Sequence, residues 1–363
     1  MIRPRPPSPR IPLADRHPLV HLPAYARKTV EQVSVDVARG PAIPSPCRVT
    51  GGSENATMAD SLAAEQVRQF SYQGYEFACR ILECPAPVTE PIVVMCAAFQ
   101  NIRSYHRYDK YWHDSATIIC MEPPGSYSPD PVPRTVGYDF DADALAYLLD
   151  ELDLPRINLL GISLGAAPTH RFAQEYPERI ARLMLTGAAL GDTARRGAVE
   201  LEHCLRLRRA DEFGRKMVEL CVNGDPTRTV RNREAVRRAL LDHLSKASEA
   251  ELVRYLAVAQ RLADHPATLP GRISGIPALC VTGEHDELAP PDLTRTMAAG
   301  IDGAAFTTMR ETCHVSFLER HADWADLVLR FFTDQPLAGL DYLTGLEHPA
   351  GRPEHGEKAS SVW

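Results

Sequence analysis

Short apolar runs, many of them β-branched, recur through the middle of the chain at Ile92–Cys96, Thr117–Cys120, Ile157–Leu160, Leu183–Thr186, Ala278–Thr282 and Ala305–Met309. They scarcely alternate with polar residues, so each predicts a strand buried on both faces, as in a parallel sheet. Between them lie stretches with helical spacing. Leu145, Leu148, Leu149 and Leu152 fall at i, i+3, i+4 and i+7, as do Trp324, Leu327, Val328 and Phe331. This alternation predicts an α/β fold, a mostly parallel sheet with helices on both faces. The stretch Ser71–Leu82 reads as a hairpin at the edge of that sheet.

The rhythm breaks once. From about 191 to 270 no strand pattern occurs, only helical stretches at Val199–Arg208, Asp211–Val222, Arg233–Ser245 and Glu249–Leu262. Helices inserted there predict a lid over one end of the sheet, with residues 61–190 and 271–335 forming the core. Leu205, Met217, Leu220, Leu240, Leu241, Leu252 and Leu256 are candidates to line an acyl pocket beneath the lid; packing within the lid claims several of them. Both ends of the chain differ from the middle. Ten of the 30 prolines lie in the first 46 residues, where missing amide donors and fixed φ disfavour regular structure. Residues 1–60 therefore read as an irregular extension, and 336–363 as a polar, loosely held tail.

Charge narrows the function. Lys and Arg number 40 against 47 Asp and Glu, a net charge of −7, which argues against a general nucleic-acid binder. The longest apolar run, Ile92–Phe99, is too short to span a membrane, and the first ten residues carry no apolar core of a secretory signal. Nine scattered cysteines form no Cys-x-x-Cys pair, so reduced thiols in a cytoplasmic protein are expected, not a disulfide framework or a zinc site. No metal-ligand cluster, nucleotide loop or other cofactor signature appears. The lid is locally basic at Arg206–Arg209 and Arg228–Arg238: a solvated helix face, or an attraction for an anionic thioester or carrier-protein surface.

The sharpest local signal is Gly161-Ile162-Ser163-Leu164-Gly165, between a strand and a helix running through Thr169, Phe172 and Tyr176. A serine in so tight a turn projects its hydroxyl from the sheet, and a Cβ at either flanking glycine would strike the neighbouring strand or helix. A serine hydroxyl needs a base, and the base an orienting carboxylate. In this setting the chain order is serine, acid, histidine. Asp286, in Val281-Thr-Gly-Glu-His-Asp286, and His314, in Glu311-Thr-Cys-His314, each follow a strand in that order. Asp192 is an alternative acid, more plainly a helix cap. Glu284 and Glu287 flank Asp286, and His285 reads as structural or exposed.

Residues from about 70 to 335 resemble the α/β-hydrolase superfamily. The resemblance rests on Gly-x-Ser-x-Gly, on Gly283-Glu-His-Asp286, on Cys-His-Val-Ser-Phe-Leu-Glu319, similar to the family's Gly-His-x-x-x-x-Glu ending, and on Glu122-Pro-Pro-Gly125, similar to its Asp-x-Pro-Gly loop. It implies an oxyanion hole of two backbone N–H groups, from Leu164 and from Phe99. Two departures stand out. Ala97-Ala98 replaces the His-Gly that many relatives carry after the third strand, and Tyr127 stands where a further glycine is usual. The expected activity is hydrolysis of a small acyl ester or thioester through an acyl-enzyme. An acyltransferase, a cyclase or a carrier-protein thioesterase on the same triad is the alternative, with an acyl carrier protein as partner in the last case. A ligand-binding protein without turnover is a third reading; a complete triad argues against it.

Overall fold

The computed structural model describes residues 65–125, 131–188, 210–265 and 272–350, with a few positions between 196 and 207. The expected extension over 1–60, Tyr127, Asp192, Leu205 and the basic run at 206, 208 and 209 lie outside the described residues. Among the described residues, no helix is long and apolar enough to cross a membrane.

The chain opens with a hairpin, β1 (Glu65–Tyr72) and β2 (Tyr75–Leu82). Its two turn residues take positive φ, 49° at Gln73 and 85° at Gly74, the geometry that matches the natural twist of paired strands. Then follow β3 (Ile92–Met95), β4 (Ile118–Met121), β5 (Ile157–Ile162), β6 (Ile180–Thr186), β7 (Ala278–Gly283) and β8 (Ala305–Met309). They form one sheet in the order β1-β2-β4-β3-β5-β6-β7-β8. Only the hairpin strands run antiparallel; every pair from β4 to β8 is parallel. The predicted fold class is the observed one.

Every residue of β3, β4, β5, β7 and β8 is buried, so the sheet is covered on both faces. One face is packed by α1 (Asp139–Glu151), α2 (Ala166–Glu175) and α6 (Pro291–Ala299), through Leu145, Leu148, Leu149, Phe172 and Met297. The other is packed by α7 (His321–Phe332), whose Trp324, Leu327, Val328 and Phe331 join Tyr108 and Trp112. Between β6 and β7 lie α3 (Ala210–Cys221), α4 (Arg233–Ser245) and α5 (Glu249–Asp264). These three helices share a small core of their own around Phe213, Val218, Leu244 and Leu252.

One expectation is corrected. The segment from Pro336, read as a loose tail, is docked against β8 as far as Glu347. Phe306 and Glu347 exchange backbone hydrogen bonds at 2.8 and 2.9 Å, and the Thr344 N–H donates to the Thr308 carbonyl at 3.0 Å. Leu337, Tyr342 and Leu343 are buried. Three apolar anchors and a free sheet edge outweigh the polar composition around them.

Candidate active site

Ser163 directly follows β5 and begins the turn into α2 with φ +52°, a left-handed conformation in a residue other than glycine. Its neighbours explain why the turn fits. A Cβ on Gly161 would sit 2.6 Å from Oγ1 of Thr169 on α2, and one on Gly165 would sit 2.4 Å from the Met95 carbonyl of β3. Both contacts are far inside van der Waals range, so strand, turn and helix close up only around glycine.

The Ser163 Oγ lies 2.9 Å from Nε2 of His314, and Nδ1 of His314 lies 3.0 Å from Oδ2 of Asp286. All three side chains are buried. Asp286 is itself held. Its Oδ1 accepts the Leu288 and Ala289 N–H groups at 2.9 and 2.7 Å, and its Oδ2 accepts the Thr282 hydroxyl at 2.6 Å. Four donors, counting Nδ1 of His314, fix the orientation of this carboxylate. The neighbouring acids face elsewhere. Glu284 accepts the Glu311 N–H at 2.9 Å, while Glu287 meets Asn223 and Arg228. His285 takes part through its backbone, donating to the Thr312 carbonyl at 2.8 Å.

The loop carrying His314 is fastened from two sides. Its own N–H donates to the Cys221 carbonyl at the end of α3, at 3.1 Å. The Cys313 N–H donates to Oε2 of Glu319 at 2.7 Å. Glu319 is fully buried, and burial, with Asp286 nearby, pushes its carboxyl up to about 8.

Opposite Ser163 stands the loop after β3. The Ala97 N–H donates to the Tyr105 hydroxyl at 3.1 Å, and the Ile102 N–H to Oε1 of Glu122 at 3.0 Å. Positive φ falls on Phe99, at 58°, not on either alanine, so replacing His-Gly by Ala-Ala leaves the alanines unstrained. The Phe99 N–H makes no hydrogen bond among the described residues. The Leu164 N–H, in the first turn after Ser163, precedes any intrahelical partner. Both residues line one cavity of about 320 Å³ with Ser163 and His314. Its remaining wall is mostly apolar and includes Met217, Leu220, Leu240, Tyr255, Leu288 and Phe317. A wider acidic depression of about 740 Å³, around Glu219, Asp225, Glu234 and Glu287, contains none of these side chains.

Two supports of this site left no trace in the sequence: His243 and Tyr255 belong to no motif, and they meet Phe99 only in the fold. Glu122 and Thr282 lie within recognised motifs, but their hydrogen bonds to the Ile102 N–H and to Asp286 were not foreseen.

A sheet of this order carrying this serine turn defines a class. Residues 91–321 match the family model for the alpha/beta hydrolase fold, and the chain belongs to that family; it is a hydrolase. It is 28% identical over 226 residues to 2-hydroxy-6-oxononadienedioate/2-hydroxy-6-oxononatrienedioate hydrolase 2 of Pseudomonas putida, a match covering 59% of this chain and 76% of that one. Solved structures share the fold at lower identity. The enol-lactonase of Burkholderia xenovorans LB400 superposes with a TM-score of 0.61 at 19% identity, over 73% of this chain and 100% of its own. A thermophilic esterase of Thermogutta terrifontis does so with 0.60 at 18%, over 76% and 99%.

Proposed function

We propose that the protein hydrolyses a small acyl ester or thioester through a covalent acyl-enzyme on Ser163. The observation that carries this reading is the continuous relay from Ser163 through His314 to Asp286, at 2.9 and 3.0 Å, opening into an apolar cavity. His314 takes the hydroxyl proton as Oγ attacks the carbonyl carbon. The resulting oxyanion is met by the Leu164 and Phe99 N–H groups, while Asp286 holds the imidazolium. His314 then gives its proton to the departing alcohol or thiol as the carbonyl re-forms. Water repeats the cycle: His314 takes its proton, the acyl–Oγ bond breaks, and Ser163 regains its hydrogen. The helices α3–α5 act as a lid that shapes the acyl pocket and limits water.

Two measurements test this. A fluorophosphonate probe should label Ser163 in the folded protein, and Ser163→Ala should lower turnover on the order of 10⁴- to 10⁶-fold. No labelling, or activity within tenfold of wild type, would sink the assignment. A panel of p-nitrophenyl esters, free thioesters and carrier-bound thioesters then separates a simple esterase from a biosynthetic thioesterase.

One observation favours a second reading, cleavage of a carbon–carbon bond beside a ketone in a carboxylated substrate. Arg107 lines the same cavity and, among the described residues, has neither a hydrogen bond nor an ion pair. A cation without a carboxylate partner suits an anionic substrate, such as the dienedioate named for the Pseudomonas putida relative. Under this reading Arg107→Gln should raise KM for a dienedioate and leave neutral esters unaffected. An equal effect on both classes would remove the support.

A further inference from the structure

Phe99 is where the inserted helices meet the backbone donors of the site. Its φ of +58° is a conformation that a residue with a side chain keeps only where its surroundings hold it. Three side chains hold it, each from a different inserted helix. His243 of α4 lies with Nε2 2.9 Å from the Phe99 carbonyl oxygen. Tyr255 of α5 stacks on the Phe99 ring, with centroids 3.9 Å apart and planes at 28°. Phe213 of α3 packs against the same ring, tilted, at 5.9 Å. The core side of the loop is anchored at Ala97 and Ile102, on either side of Phe99. The Cβ that carries the ring and the carbonyl carbon are two of the four substituents on the Phe99 Cα. Fixing both fixes the third, the amide nitrogen.

We propose that His243 is a positioning residue: by holding the Phe99 carbonyl it sets the direction of the Phe99 N–H, so that the inserted helices complete the oxyanion hole and do more than cover it. This role rests on the oxyanion-hole reading above. A carbonyl oxygen only accepts, so Nε2 carries the hydrogen, and the ring donates from Nε2 whether neutral or protonated. His243 acts through Phe99 and does not touch the reacting atoms.

The test uses the full chain and its best p-nitrophenyl ester. His243→Leu removes the donor and keeps bulk, whereas His243→Gln keeps an N–H of similar reach. The leucine variant should lose on the order of tenfold to a hundredfold in kcat, less than outright deletion of an oxyanion donor costs, with KM little changed. Its affinity for an alkyl trifluoromethyl ketone, which adds to Ser163 and leaves an alkoxide in the oxyanion hole, should fall by a similar factor. The glutamine variant should recover most of both. A kcat within twofold of wild type would overturn the role, as would a fall in kcat without a matching fall in ketone affinity. If His243→Leu does not fold, His243→Asn, too short to reach the carbonyl, serves the same comparison. Ester turnover that survives Ser163→Ala would mark failure of the serine reading itself, and the role of His243 falls with it. Turnover abolished by Ser163→Ala but indifferent to His243 overturns the positioning role alone.

Discussion

At the scale of single residues, the site depends on groups held in states they would not adopt in water. Ser163 is held at positive φ, and Glu319 holds a proton. Burial and the nearby Asp286 raise the Glu319 carboxyl to about 8, against the opposing pull of Arg233 and the Cys313 N–H. A carboxyl raised in this way keeps its proton in the folded chain where the unfolded chain, near 4.5, has released it. Between about 4.5 and 8 the folded state therefore binds more protons, and this contribution to stability falls as pH rises. Glu319→Gln still offers an acceptor to the Cys313 N–H but cannot ionise. The stability of the variant relative to wild type should thus climb from pH 5 to pH 8 in denaturant titrations; a difference that stays flat would mean the carboxyl is not raised. His170 pulls the other way at lower pH, since burial drops its imidazole to about 4 from 6.5, but it is common to both proteins and cancels in the comparison. A second residue-scale test concerns Asp286. Asp286→Asn should cost about 10⁴-fold in kcat by favouring the wrong histidine tautomer, with a labelled but slow Ser163 as its signature. Activity near wild type would show that the four hydrogen bonds on this carboxylate serve the loop and not the imidazole.

At the scale of elements, the inserted helices are tied to the core by a buried ion pair. Arg261 of α5 meets Asp141 of α1, and both side chains are only 2% exposed. The guanidinium also donates to the Val136 and Gly137 carbonyls at 2.9 and 3.0 Å and lies 5.2 Å from the Tyr138 ring centre. Removing one member strands the other charge. Asp141→Ala should cost about 3–5 kcal/mol, whereas replacing both by apolar residues of similar volume should cost far less. Chemical denaturation of the three proteins decides this, and a single-variant loss below about 1 kcal/mol would contradict it. This pair also marks the limit of what the sequence discloses. The central strands were legible because burial on both faces demands unbroken apolar runs, and α4 shows the predicted limits. Ser163, Asp286 and His314 were legible because each follows a strand within a short motif. Strand β1 was not: its residues are mostly exposed, so only its last two positions fell within the predicted hairpin. Arg261 and Asp141, or His243 and Phe99, stand more than a hundred residues apart, and no local pattern joins such partners.

At the scale of the whole molecule, the apolar residues of the inserted helices serve two tasks, and some serve both. Of the seven side chains expected to line a pocket, Met217, Leu220 and Leu240 line the cavity over Ser163 while their other sides pack on the insertion's own core. Leu252 and Leu256 belong to the insertion's own core around Phe213, Leu241 is exposed, and Leu205 lies outside the described residues. The two groups should therefore respond differently to truncation. Leu220→Ala combined with Leu240→Ala widens the cavity while leaving the relay from Ser163 to Asp286 untouched. The preferred acyl chain should lengthen, with discrimination changing by about 1–3 kcal/mol per methylene in kcat/KM. Leu252→Ala opens a hole in packed core instead, and should cost about 2–5 kcal/mol of stability with acyl preference unchanged. The measurement is a chain-length series of p-nitrophenyl esters run beside thermal denaturation for all three proteins. If the double variant lost stability and kept the wild-type chain-length optimum, the cavity over Ser163 would not be the acyl site. The acyl site would then have to be sought along the loop from Phe99 to Trp112, whose Ser104 and Arg107 also line the cavity.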